Sequence, residues 1–149
     1  MDPIRQPHDA FRVSGLTVRT TNREEIDPAT ARIGALWNRF FGEQTYESTP
    51  HRTSDTRIFS VYSAYESDAH GAFDMTAGVA VSDGANSIAI EAGDYLVFAG
   101  RGEMPQMVIA TWQRIWQYFE AHPEIVRRYR SDFEAYEGPD AVAIHIGVS

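Results

Sequence analysis

The segment WQRIW at residues 112–116 is a second copy of the segment WNRFF at residues 37–41, which lies 75 positions earlier in the chain. Two further pairs of segments match in the same order: GLTV at 15–18 with GDYL at 93–96, and YSAYES at 62–67 with FEAYEG at 133–138. The offset between copies falls only from 78 to 71, so the copies differ in loop length and keep their order of elements. The sequence therefore predicts a duplicated chain.

Both halves carry the same succession of strand and helix patterns. A helix with one apolar face follows the first strand of each half. Alternating apolar and polar residues predict the strands, which we expect at residues 11–21, 57–67 and 73–82 in the first half and within 87–100, at 131–138 and at 141–148 in the second.

The two helices differ in how clearly the sequence marks their ends. In the first half, apolar residues recur at three- and four-residue spacing over residues 33–41. We expect Asp27 to cap this helix, Pro28 to occupy its first position and Gly42 to end it. The polar residues 43–56 are then a long loop. The second helix is expected at residues 105–121, and a short loop is expected at residues 83–87.

These patterns predict an α+β fold of two strand–helix–strand–strand modules related by a pseudo-two-fold axis. Repeat 1 spans about residues 11–82 and repeat 2 about residues 88–149, together one domain over residues 11–149. Residues 1–10 carry two prolines and mixed charge, and we expect them to be a flexible leader. One module buries too little apolar surface to be stable alone. We therefore expect one antiparallel sheet, two main helices and a central cleft between the halves, where ligand pockets often occur.

The composition excludes several classes of function. The 149 residues include 21 acidic and 13 basic side chains, a net charge of −8, which disfavours direct nucleic-acid binding. Cysteine is absent, which excludes disulfides and thiolate catalysis and fits a reducing cytosol. No apolar stretch approaches the roughly 20 residues that span a bilayer, and no secretory signal is present, so we expect a soluble cytoplasmic protein. Phosphate-binding glycine motifs and convergent histidine ligands are also missing, so we expect no cofactor and no metal.

Glu134 lies inside the predicted strand at residues 131–138. Alternation along that strand places Asp132, Glu134 and Tyr136 on the face opposite Phe133 and Ala135. In the first repeat a serine, at position 63, matches Glu134, so the carboxylate breaks the internal symmetry. Two interpretations are open. Glu134 is an exposed strand carboxylate, as glutamate usually is, or it lies among aromatic rings and binds an organic cation.

The aromatic residues leave a similar choice between core and pocket wall. A tryptophan on an apolar helix face, such as Trp37 or Trp112, is more often part of a core. Tyr65 and Tyr136 occupy matching positions in the two repeats. The two tryptophans or the two tyrosines could line the expected cleft.

The same segments resemble those of the GyrI-like effector-binding superfamily. The resemblance covers about residues 11–149 and rests on YESD at 65–68 with FDMTAGVAV at 73–81, AGDYLVF at 92–98, WQRIW at 112–116 and RRYRSDFEAY at 127–136. It implies the duplicated fold described above and the role of a drug-sensing domain like those of AraC- and MerR-type regulators. It also implies that Glu134 meets cationic, lipophilic ligands, within a pocket formed by Trp37, Tyr65, Phe98, Trp112 and Tyr136.

The favoured hypothesis is a non-enzymatic, standalone binding protein for lipophilic, cationic, aromatic small molecules. We expect no DNA-binding domain, because only about ten residues precede the first strand. Two alternatives remain open. In the first, Glu134 activates water and the protein resembles GyrI-like hydrolases of electrophilic compounds, with Tyr136 orienting the base. In the second, the acidic surface binds a protein partner, as in family members that inhibit a topoisomerase.

Overall fold

The computed structural model describes residues 3–84 and 87–149. Positions 85 and 86 of the predicted 83–87 loop, and residues 1 and 2 of the predicted leader, lie outside this range. The described residues form eight strands and four helices: β1 (Ile4–His8), β2 (Phe11–Thr20), α1 (Asn22–Ile26), α2 (Ile33–Gly42), α3 (Thr45–Ser48), β3 (Ile58–Ser63), β4 (Phe73–Val81), β5 (Ile88–Ile90), β6 (Gly93–Arg101), α4 (Gln106–Ala121), β7 (Ser131–Gly138) and β8 (Ala141–Val148).

All eight strands belong to one curled antiparallel sheet with the order β1-β6-β8-β7-β3-β4-β2-β5. In repeat 1 the neighbouring strands are β2, β4 and β3, counted towards the centre of the sheet. In repeat 2 they are β6, β8 and β7, counted towards the centre from the opposite edge. The repeats meet where β3 pairs with β7, with Val61 opposite Phe133. This arrangement confirms the predicted α+β fold of two duplicated modules.

The two longer helices cover one face of the sheet and leave its centre open. Helix α2 packs Leu36 and Phe40 against β4, while α4 packs Ile115 against β8. Strands β3 and β7 lie between these two cores. The opposite face carries a separate core that includes Phe59 and Phe133, each 1% exposed. The central cleft predicted between the repeats therefore lies on the helical face, above β3 and β7.

The N-terminal segment differs from the flexible leader that we expected. Residues Ile4–His8 form β1, which pairs with β6 of the second repeat. Arg5 strengthens this contact through an ion pair with Asp94 at 3.0 Å and a hydrogen bond to the Ser149 carbonyl at 2.8 Å. The prolines that suggested a loose segment are compatible with a strand at the sheet edge, where one side of the backbone needs no partner.

The start of the long helix in repeat 1 also differs from the prediction. Thr21 caps the short helix α1 by accepting a hydrogen bond from the Glu24 N–H at 3.0 Å, and Asp27 ends that helix. Helix α2 begins only at Ile33, and the Glu25 carboxylate accepts hydrogen bonds from the backbone N–H groups at its start. The end at Gly42 is confirmed. The predicted 43–56 loop contains the single-turn helix α3.

Strands β2 and β4 approach closely at a glycine pair. A Cβ atom added to Gly15 would lie 1.9 Å from the Ala77 carbonyl oxygen. We expect Gly15→Ala to lower the free energy of unfolding by about 1–3 kcal/mol, because backbone must move to accept the methyl group. Gly34→Ala on α2 is the control, since an added Cβ there has no neighbour within 4 Å. It should raise stability by up to about 1 kcal/mol. Equal effects of both changes in denaturant titrations would contradict this explanation.

No helix within residues 3–84 or 87–149 has the length and apolar character needed to cross a membrane.

Candidate functional site

A cavity of about 1130 Å³ opens between α2 and α4, above β3 and β7. Its volume is slightly above the range of roughly 300–1,000 Å³ that is usual for small-molecule sites. Both repeats line it, and ten of its lining residues are aromatic: Trp37, Phe40, Phe41, Tyr46, Tyr62, Tyr65, Phe73, Trp112, Trp116 and Tyr136. Such a wall favours flat, apolar molecules, which lose contact with water when they enter.

Glu134 lies at the floor of this cavity and is 2% exposed. Its Oε2 atom accepts hydrogen bonds from the Tyr62 hydroxyl at 2.8 Å and from the Trp112 Nε1–H at 2.6 Å. Its Oε1 atom accepts a hydrogen bond from the Tyr136 hydroxyl at 2.5 Å. The three donors come from β3, α4 and β7, so both repeats and one helix hold the carboxylate. Its burial excludes the interpretation of Glu134 as an exposed strand residue.

Every hydrogen-bond donor to Glu134 is electrically neutral. Among residues 3–84 and 87–149, no arginine or histidine forms an ion pair with this carboxylate. Burial raises the pKa of Glu134 above its ordinary value, and the hydrogen bonds from Tyr136, Trp112 and Tyr62 oppose that rise. Burial and the nearby Glu134 charge raise the pKa of the Tyr62 and Tyr136 hydroxyls, which therefore remain protonated donors.

Asp132, two residues earlier on the same face of β7, has a different environment. It is fully buried and forms an ion pair with Arg127 at 2.8 Å. It also accepts hydrogen bonds from the Tyr65 hydroxyl at 2.5 Å and from the Gly147 N–H at 2.8 Å. One buried acid of β7 is thus neutralised by an arginine of the protein, whereas its neighbour Glu134 is not.

The structure brings together most of the residues that the sequence suggested. Tyr136 and Trp112 bind Glu134 directly. Trp37 lines the cavity and contacts Tyr136 edge to face, with ring centroids 5.8 Å apart. Tyr65 also lines the cavity, although its hydroxyl binds Asp132 instead of Glu134.

Phe98 does not belong to the site, contrary to what the resemblance implied. Its side chain is 2% exposed and lies in the core beneath α4, against Tyr118 and Phe119. Strand β8 separates β6 from β7 in the sheet, so Phe98 on β6 is displaced from the centre and covered by the helix. It therefore contributes to packing and not to the cavity wall.

Tyr62 is the main residue that the sequence analysis missed. It lies on β3 directly opposite Asp132 of β7, and from there its hydroxyl reaches the diagonal neighbour Glu134. Alternation alone would have placed Tyr62 on one face of β3. Only the pairing of β3 with β7 shows that this face is shared with Glu134.

Comparisons with known proteins agree on the fold and on the family. The family model described as Cass2, integron-associated effector binding protein, matches residues 7–148. The crystal structure of the integron cassette protein VCH_CASS2 of Vibrio cholerae is 36% identical, with a TM-score of 0.84 over 99% of this chain and 96% of that one.

Two further proteins extend this comparison, one by sequence and one by fold. YobU of Bacillus subtilis (strain 168) is named as a transcriptional regulator. It is 29% identical to this chain over 141 residues, which cover 90% of this chain and 86% of YobU. The structure of SAV2435 bound to tetraphenylphosphonium has a TM-score of 0.80 over 100% of this chain and 94% of that one. At 16% identity, this last likeness concerns the fold alone.

Proposed function

The chain belongs to the family of integron-associated effector binding proteins and has the GyrI-like fold, and on that premise we propose that its effectors are lipophilic organic cations with aromatic groups. One observation carries the proposal: a buried carboxylate, Glu134, lies in an aromatic cavity and receives only neutral hydrogen bonds. We assign ligand binding to Glu134, Tyr62, Trp112 and Tyr136, with Trp37 and Tyr65 in the surrounding wall.

The first part of the mechanism is charge compensation. A buried carboxylate without a positive partner is costly, because it has lost its water shell. At Asp132 the ion pair with Arg127 offsets this free-energy cost. At Glu134 a bound cation would offset it. Because Glu134 is buried, the attraction between its carboxylate and a cation is screened less than at a surface.

The second part of the mechanism depends on the aromatic rings. Both oxygen atoms of Glu134 accept hydrogen bonds from aromatic side chains that also line the cavity, so a cation that binds near the carboxylate lies beside the rings of Tyr62, Trp112 and Tyr136. Each O–H or N–H group that donates to the negative carboxylate polarises its own ring and makes the face more attractive to a cation. Desolvated cation–ring contacts of this kind are worth about 2 kcal/mol.

Tetraphenylphosphonium is a suitable first ligand. It is a lipophilic cation with four aromatic rings, and it is bound to SAV2435, a protein of the same fold. We expect this chain to bind it with a Kd in the micromolar range, which corresponds to about 8 kcal/mol. Isothermal titration calorimetry measures the affinity, and quenching of tryptophan fluorescence reports contact with the tryptophans of the cavity, Trp37, Trp112 and Trp116. Absence of both signals at millimolar ligand would contradict the proposal.

Cation affinity should depend on pH with a defined sign. Burial raises the pKa of Glu134, and only the ionised carboxylate compensates a cation. Affinity should therefore rise with pH through this raised pKa and fall by up to about tenfold per unit below it. The pKa of His145 is lowered to about 4, but His145 lies on the opposite sheet face. Glu134→Gln should remove the pH dependence, and an unchanged profile in that variant would refute the assignment.

A further inference from the structure

Three large apolar side chains are exposed at the mouth of the cavity. Phe41, Ile109 and Trp116 are 62%, 55% and 43% exposed, and all three line the cavity. The other three large apolar side chains that are exposed among the described residues, Ile4, Ile26 and Val126, do not line it. Exposed apolar groups that border a cavity are typical of surfaces that a ligand covers.

Two of these residues are the outer members of matching aromatic pairs. On α2, the rings of Trp37 and Phe41 stack with centroids 5.9 Å apart and an angle of 24° between their planes. On α4, Trp112 and Trp116 lie 6.1 Å apart at 39°. In each pair the two residues are four positions apart, which places the outer ring one helical turn from the inner ring. The pairs occupy corresponding positions in the repeated segments.

Both pairs lead from the carboxylate to the cavity mouth. On one side, Trp112 donates its N–H to Glu134, and Trp116 follows one turn further along α4. On the other side, Tyr136 donates to Glu134, contacts Trp37 edge to face, and Trp37 stacks on Phe41. The two helices thus present two series of rings that start at the same charge and end at exposed aromatic surfaces.

We propose that Phe41 and Trp116 form an outer subsite for a planar apolar group of the ligand whose cation lies near Glu134. This inference rests on the proposed function and specifies the class of ligand: an elongated molecule with a cationic centre at one end and a flat aromatic group at the other. A flat group against an outer ring removes apolar surface of that ring from water and gains ring-to-ring contact. The outer subsite is continuous with the cavity and lined by the same two helices.

A pair of ligands with the same cation tests the subsite. One is hexyltrimethylammonium, and the other is the same chain ending in a naphthalene ring. By calorimetry, wild type should bind the naphthalene compound roughly tenfold more tightly. The double variant Phe41→Ser/Trp116→Ser should lose this advantage while its affinity for hexyltrimethylammonium stays within about twofold. The matched control Ile26→Ser/Val126→Ser removes two exposed apolar residues outside the cavity and should retain the advantage.

The possible outcomes separate this inference from the proposed function. Equal affinity of wild type for both compounds would overturn the outer subsite and leave the cation site intact. The outer subsite would also be overturned if the double variant still bound the naphthalene compound more tightly than hexyltrimethylammonium. A change in self-association of that variant, measured by sedimentation, would not alter this conclusion. Failure of wild type to bind either compound would overturn the cation site and the outer subsite together.

Discussion

Glu134→Gln is expected to weaken the binding of tetraphenylphosphonium by at least roughly thirtyfold, or about 2 kcal/mol. The substitution keeps the shape of the side chain and removes the charge that no protein cation compensates. The matched control is Asp74→Asn, which removes one negative charge from an acid that does not line the cavity. Calorimetry on the three proteins measures the effect. Equal weakening in both variants would attribute it to overall charge and not to Glu134.

The stability of the same variant distinguishes loss of binding from loss of folding. Because burial raises the folded-state pKa of Glu134, its stabilising contribution is present at low pH and is lost as pH rises through that pKa. Without ligand, at a pH above that pKa, the ionised carboxylate therefore lowers stability. Glu134→Gln should unfold at the same or a higher denaturant concentration than wild type. A clear destabilisation would mean that the carboxylate serves the fold.

Asp132→Ala is expected to lower the free energy of unfolding by about 3–5 kcal/mol. The Arg127 side chain is only 8% exposed, and without Asp132 its charge would remain buried and unpaired. The Tyr65 hydroxyl and the Gly147 N–H would also lose their acceptor. Denaturant titration measures the loss. Asp132→Asn should be less harmful, because the amide oxygen can still accept hydrogen bonds.

Asp94→Ala provides the control for this second prediction. Asp94 also pairs with an arginine, Arg5, but both side chains are nearly half exposed. Water screens such a pair, so its removal should cost less than about 1 kcal/mol. Similar losses at positions 94 and 132 would contradict the view that the buried pair is a structural element of the cavity wall.

The repeats and the side-chain faces of the strands could be predicted from sequence because they depend on local order. The paired segments at 37–41 and 112–116 indicate the duplication, and alternation along β7 places Asp132, Glu134 and Tyr136 on one face. Glu134 stands out as a charge in the segment that repeats residues 62–67, but Ser63, its match in that segment, pairs with Ser131 and lies on the opposite face of the sheet. The burial of Glu134 and its three hydrogen-bond partners depend on the meeting of β3 and β7, which no local pattern encodes.

The remaining differences have the same physical origin. Phe98 has the apolar, aromatic character of a pocket residue, but its distance from the pseudo-two-fold axis places it beneath α4. Asp27 fits a helix cap by residue type, yet the Glu25 carboxylate binds the start of α2 from seven and eight residues earlier in the chain. Strand β1 acquires its conformation from pairing with β6, almost ninety residues later. Each outcome depends on contacts between segments that are distant in sequence.

The central claim is that an uncompensated buried carboxylate makes this cavity selective for positive charge. Tetraphenylphosphonium and tetraphenylborate have nearly the same shape and opposite charge, so their affinities for wild type isolate the charge term. We predict that the cation binds at least roughly a hundredfold more tightly than the borate, which is about 3 kcal/mol. Equal affinities, or tighter binding of the borate, would show that the cavity selects its ligands by shape and apolar surface alone.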